Sequence, residues 1–290
     1  DFFVASPAYF NRHYIDRPEI VNDTNFQYQH RTDLLGSISF IRNDYYKSRY
    51  INNFGISEDV PYGFNLTLTI GHELGELVDR TYMGTSLSAG KYFNKVGYFY
   101  VITEAGSFIR SNSFDQGLVR LGLSYFSKLF TTRSNYRSRF SISADYLAGL
   151  NRYPGERMYL IEDDVLKHIL SDSLFGNQQI NFTASITTFT PWYFYGFRFA
   201  IEAFANMALI GSNKFSLFKN QLYTGVGLAV KIRNESLVFE TIELKFTYFP
   251  VLPDGDTRRF DFQSRTRPVS VFPGFTAGYP EIIPYKYYYD

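Results

Sequence analysis

The sequence predicts an all-β chain, a transmembrane antiparallel up-and-down β-barrel, and three observations predict it. Apolar and polar residues alternate with period two through most of the chain, the pattern that in a strand sends successive side chains to opposite faces. The alternating segments run roughly 10 to 15 residues, longer than the roughly 5 to 6 of ordinary globular strands and suited to a tilted bilayer crossing. Their connections alternate short and long, as the periplasmic turns and outer loops of such a barrel do.

Taken in order, residues 1–32 (Asp1 to Thr32) are read as an irregular, polar segment that is a plug, a linker or the remnant of missing strands, with the barrel running over 33–290. Leu66, Leu68 and Ile70 face away from Asn65, Thr67 and Thr69. Phe140, Ile142, Ala144 and Tyr146 oppose Arg139, Ser141, Ser143 and Asp145. Between Tyr195 and Leu209 the apolar set is Tyr195, Phe197, Phe199, Ile201, Met207 and Leu209, against Arg198, Glu202 and Asn206. Leu222, Val226, Leu228, Val230 and Ile232 oppose Gln221, Tyr223, Gly225, Gly227, Lys231 and Arg233. From Leu237 to Phe249, Ile242, Leu244, Phe246 and Tyr248 oppose Thr241, Glu243, Lys245 and Thr247, with Phe239 and Phe249 placed for an interfacial aromatic girdle. About 12 such strands are expected between Leu34 and Phe262. Short turns are expected at 93–95, 131–134, 190–193 and 233–236, and long loops at 73–80, 107–116, 149–175 and 211–220. A soluble β-sandwich or lipocalin-like barrel also alternates, but its strands are shorter and carry fewer outward aromatics.

Composition narrows the partner classes. Aromatic residues make up 19% of the chain, with 25 Tyr and 30 Phe, yet the mean hydropathy is -0.20. The apolar content is therefore dispersed, and no run approaches the ~20 residues of a membrane helix, so a spanning chain spans as strands. A net charge of +1 lacks the basic footprint of phosphate binding, which excludes nucleic acid as a partner. The absence of Cys removes thiol catalysis, thiolate metal sites and disulfides. The chain opens at Asp1 without a signal segment, so it reads as a processed form or a piece of something longer.

No enzyme is indicated. His13, His30, His72 and His168 show no metal-ligand spacing, and Glu162-Asp163-Asp164 lacks the alternation of a calcium loop. The run 84–90 has no Gly two residues either side of one Ser, so no nucleophile elbow forms, and no Ser-His-acid arrangement of a lipid hydrolase is found. No catalytic, metal or cofactor site is expected. Arg198, Glu202, Lys231, Glu243 and Lys245 are read as lumen charges, with Arg198 and Glu202 able to pair across the lumen with Lys231, Arg233, Glu243 or Lys245.

The run Gly176-Asn177-Gln178-Gln179, Phe189-Thr190-Pro191-Trp192, Gly196-Phe197-Arg198-Phe199-Ala200, Phe204, Gly225-Val226-Gly227 and Arg233-Asn234-Glu235-Ser236-Leu237-Val238-Phe239 resembles the C-terminal barrel of the bacterial surface-antigen family, the BamA/TamA type, in its Bacteroidetes form. Asn151-Arg152, Gly155-Glu156-Arg157 and the ending Gly278-Tyr279-Pro280-Glu281-Ile282-Ile283-Pro284-Tyr285 are similar too, so the likeness covers roughly 56–285. The resemblance implies an outer-membrane barrel that inserts or translocates proteins, in contact with outer-membrane lipid, lipopolysaccharide and envelope protein partners. It also implies more strands than are found in this sequence and soluble periplasmic modules that are not in it.

In the family, the long loop before Gly176 folds into the lumen and carries an Arg-Gly pair that meets a Glu and an Asp on the next two strands. Here Leu166-Lys167-His168-Ile169 stands at the loop motif, Ser185 at the Glu and Asn206 at the Asp. An unpaired charge in a partly desolvated lumen is costly, so losing the carboxylates relaxes the need for a bidentate Arg. Lys167 is left to reach Asn206 or a backbone carbonyl as a point charge. Two function classes follow: a protein-assembly or secretion barrel, degenerate and acting with partners in an envelope complex, or a passive diffusion channel or surface-display and adhesion barrel.

Overall fold

The computed structural model describes residues 1–20, 25–110, 113–153, 156, 158–159, 175–211, 217–235, 241–252, 257–267 and 274–285. Its strands are β1 (Phe2–Arg12), β2 (Arg31–Arg49), β3 (Ser57–Gly75), β4 (Arg80–Phe93), β5 (Gly97–Arg110), β6 (Ser113–Ser127), β7 (Phe130–Thr131) and β8 (Arg137–Leu150), then β9 (Met158–Tyr159), β10 (Phe175–Gly176), β11 (Gln178–Phe194), β12 (Phe197–Gly211), β13 (Tyr223–Asn234), β14 (Thr241–Tyr248) and β15 (Phe260–Arg267). Thirteen strands form one sheet in the order β1-β2-β3-β4-β5-β6-β8-β11-β12-β13-β14-β15, with β7 paired to β8; β9 and β10 pair separately. Every neighbouring pair is antiparallel.

The expected all-β, up-and-down architecture is thus present, but among the described residues the sheet is not closed into a barrel: β1 and β15 are its two edges. Alternation encodes which face a residue takes and says nothing about whether the edge strands meet. The sheet nevertheless curls. Arg139 at the start of β8 donates to the carbonyls of Arg49 and Tyr50, each at 2.7 Å, and to Ser48 Oγ at 3.0 Å, around the end of β2. Five strand steps separate β2 from β8, about 24 Å on a flat sheet, so the contact requires curvature.

The two faces differ: the convex one is apolar and exposed, and the concave one mixes buried charged, polar and apolar side chains. The convex face exposes Leu34, Ile38, Leu66, Leu68, Ile70, Met83, Leu87, Val101, Leu121, Leu123, Ile186, Met207, Val226, Leu228, Val230, Ile242, Phe246 and Phe262, the last at 65%. The concave face buries Asp33, Glu73, Arg80, Arg139, Asn206, Glu243, Lys245 and Thr247. A soluble sheet instead turns a polar face to the water, since apolar burial is what stabilises it.

Several expectations are corrected. Residues 1–32 are not irregular throughout, because Phe2–Arg12 pairs residue for residue with Ile41–Arg31. β1 is an edge strand, the position in a sheet where a proline such as Pro7 is tolerated. The expected turn at 190–193 lies inside β11, where the register shifts between Phe189 and Tyr193. The hairpin turns two residues later, at Tyr195 (φ 47°) and Gly196 (φ 83°), the positive-φ pair that matches strand twist. The loop expected at 73–80 shrinks to 76–79, because Glu73 and Arg80 close the β3–β4 ladder. Phe249 is buried on the concave side beside Phe204 rather than in a girdle, and Phe239 lies outside the described residues.

Candidate functional site: the concave face

Four successive strands carry a ladder of alternating charge across the concave face. Thr187 of β11 donates to Glu202 of β12 at 2.8 Å. Glu202 pairs with Lys231 of β13, Lys231 lies 3.9 Å from Glu243 of β14, and Arg265 of β15 meets Glu243 at 2.8 Å. Register explains it, since Lys231 stands directly opposite Glu243 and Glu243 directly opposite Arg265, and opposite charges on facing positions attract. Glu243 is 2% exposed, a burial that a carboxylate tolerates only when paired.

The sequence places Glu202, Lys231, Glu243 and Lys245 on this face, and the structure brings the first three together. Lys245 instead sits 4.5 Å over the Phe204 ring. Arg198 does not join the ladder; it reaches Glu235 beyond the end of β13 at 2.5 Å. Ser185 is half-buried, opposite Ser141 and Phe204. Asn206 is 2% exposed, opposite Thr183 and Gly225, and its amide makes no hydrogen bond among the described residues. Lys167, His168 and Glu162-Asp163-Asp164 lie outside the described residues, as does most of the expected loop 149–175.

Sequence reasoning missed three further clusters. At one end of the sheet Arg80 and Glu73 form a buried ion pair at 2.7 Å, the Arg80 guanidinium lies 3.7 Å over Phe108, and Arg31 lies 3.6 Å from Glu73. Outside the strands at that end, Arg17 binds Glu76 through both carboxylate oxygens. That hydrogen bonding, with the backbone N–H of His30, holds the Glu76 carboxyl down at about 2. Mid-sheet, Arg120 lies between Glu104 at 3.4 Å and Asp145 at 3.2 Å. Apart from Arg17 and Glu76, which lie between strands, each of these charges sits on the inward side of an alternating strand, which was the available clue.

The third cluster involves a segment that forms no strand. Residues 274–285 lie against the concave side of β1 through β8. Phe275 is 1% exposed and its ring sits 6.0 Å from that of Tyr100. Asn65 Nδ2 donates to the Thr276 carbonyl at 3.0 Å, and the Ile283 N–H donates to the Tyr82 hydroxyl at 3.0 Å. Ile282 packs on Leu35, Tyr82 and Phe108. Tyr285 packs on Leu118 and Leu147 under the Arg152 guanidinium, 3.8 Å above its ring. Burial raises the Tyr285 hydroxyl to about 12, so it stays neutral in this contact at any ordinary pH.

The chemistry this face offers is positioning and charge pairing. His13 and His30 stack at 3.9 Å, and His72 contacts Thr81 at 3.3 Å. Among the described residues no group of three or more His, Asp or Glu side chains is placed to hold a metal, and no helix is long and apolar enough to cross a membrane, which says nothing of crossing by strands. No protein-family model matches the chain, and no curated protein matches it.

Proposed function

We propose that the chain is an outer-membrane β-barrel of the BamA/TamA-like surface-antigen type, serving protein assembly or secretion as a subunit that works with envelope partners. The observation that carries the membrane reading is the exposed, apolar convex face, with Leu68, Leu228 and Phe262 outward, over an interior that holds Glu243, Arg139 and Asn206 beside its apolar clusters. A contiguous apolar convex surface of this extent needs lipid or protein against it. Exposed aromatics support it at both ends of the strands: Phe93, Phe130, Trp192, Tyr193 and Phe194 at one, Tyr9, Phe114, Phe218 and Phe260 at the other. Aromatic rings favour the two membrane-water interfaces.

Unpaired strand edges are not tolerated in hydrocarbon, so the spanning form joins β1 and β15 to each other or through further strands. Twelve strands lie on the path, which makes β1 and β15 mutually antiparallel; any added strands must then be even in number. The assembly role rests on the sequence likeness, and the non-insertase role on the joint change at Lys167, Ser185 and Asn206. Extraction in mild detergent tests the proposal. It expects a compact, heat-modifiable band on a gel and copurifying envelope proteins identified by mass spectrometry. A chain that is monodisperse in plain buffer refutes the membrane reading, and one that forms the band but brings down no envelope protein refutes the assembly role.

A further inference from the structure

We propose that residues 274–285 are a removable plug, a strap that closes the interior of the barrel and can leave it as one piece without breaking the sheet. The inference rests on the barrel reading above. Twelve extended residues reach roughly 36–43 Å, enough to run lengthwise through a bilayer-spanning interior. The strap's two ends are pegged by rings, Phe275 and Tyr285, both buried.

The sheet is shaped to receive those rings. A Cβ at Gly149 of β8 would lie 2.5 Å from the Tyr285 ring, and one at Gly90 of β4 would lie 2.4 Å from the Tyr98 hydroxyl of β5 and 2.9 Å from the Phe275 ring. Side-chain-free positions therefore stand where the strap's largest groups lie, on strands far apart in sequence. Yet the strap adds nothing to the ladders. Among the described residues its one backbone to backbone hydrogen bond is internal, Thr276 N–H to the Gly274 carbonyl. Its polar attachments to the strands are the side-chain contacts from Asn65 and Tyr82. A strand of the sheet, by contrast, is held on both sides, as β3 is by β2 over 57–75 and by β4 over 63–73. Withdrawing the strap therefore costs apolar contacts, the Arg152 guanidinium's contact with the Tyr285 ring and, among the described residues, two hydrogen bonds to the strands, while every strand pairing survives.

The test compares the full chain with a version ended after Pro273, each refolded in detergent and added to planar bilayers of phosphatidylcholine and phosphatidylglycerol. Both are expected to keep the compact, heat-modifiable band, while the shortened version passes a steady current about tenfold or more above that of the full chain. Equal currents overturn the plug. If shortening alone destroys the compact band, the Phe275→Ala/Tyr285→Ala double variant decides: a raised current with the band intact supports the plug, and an unchanged current overturns it. A full chain that never gives the compact band refutes the barrel reading itself, a result separate from the others.

Discussion

Replacing Glu243 by Ala removes the carboxylate at the centre of the charge ladder. Glu243 is 2% exposed, with Arg265 at 2.8 Å on one side and Lys231 at 3.9 Å on the other. Removing one partner of a buried ion pair destabilises by about 3–5 kcal/mol. The lower end applies here, because Lys231 keeps its contact with Glu202 and Arg265 is only partly buried. A loss of about 3 kcal/mol lowers the unfolding midpoint of a chain this large by roughly 6 °C. The conversion of compact to extended band on a gel, followed against temperature in detergent, measures that shift. Glu243→Gln keeps the shape and one acceptor, so its shift should be about half as large. Coupling to Arg265 is read from the Glu243→Ala/Arg265→Ala cycle, where an interaction of about 1–3 kcal/mol is expected for groups in direct contact. Identical midpoints for the native chain and Glu243→Ala would falsify the claim that the ladder is a desolvated interior feature, since an exposed pair is worth little.

Arg139→Met removes the donor to Ser48, Arg49, Tyr50 and Ser127; cleavage by a protease within 50–56 should accelerate several-fold, and unchanged cleavage refutes the clamp. Gly63→Ala forces a side chain into φ +143°, with its Cβ 1.9 Å from the Arg42 carbonyl; a loss of about 1–3 kcal/mol is expected, seen as a lower band-conversion midpoint.

Much of the fold is legible in the sequence because alternation is a local property. Knowing that 199, 201 and 207 are apolar and 202 and 206 polar is enough to put Glu202 and Asn206 on one face, and the same holds for Lys231, Glu243 and Lys245. The misreadings have local causes as well. Pro191 is a turn marker by ordinary rules, but it sits at an irregularity of β11 where no ladder N–H is required. In β1 the inward set Val4, Ser6 and Ala8 differs little in polarity from the outward Ala5 and Pro7, so the face contrast that reveals a strand is weak. Partners within the face were harder to read than the face itself. Arg198 reaches Glu235 because the hairpin turns at Gly196, and an incorrectly placed turn changes which charges lie within reach.

The strap was beyond reach of such reasoning for a physical reason. Its pattern follows neither period, since Phe275, Pro280 and Tyr285 are buried while Tyr279 between them is exposed. What places it is complementarity to Gly90, Asn65, Tyr82 and Gly149, whose sequence separations from the strap exceed a hundred residues. Non-local complementarity leaves no periodic trace in either partner. A glycine in a strand reads as a weakness until the ring that fills its space is known, and an aromatic ending reads as a terminus until the strands that hold it are seen. Gly149→Leu, outside the strap, should therefore unseat it while leaving the pairing of β8 with β6 and β11 intact. The signature is a raised current with an unchanged compact band, and loss of the band with no current would instead mean that this glycine serves the sheet.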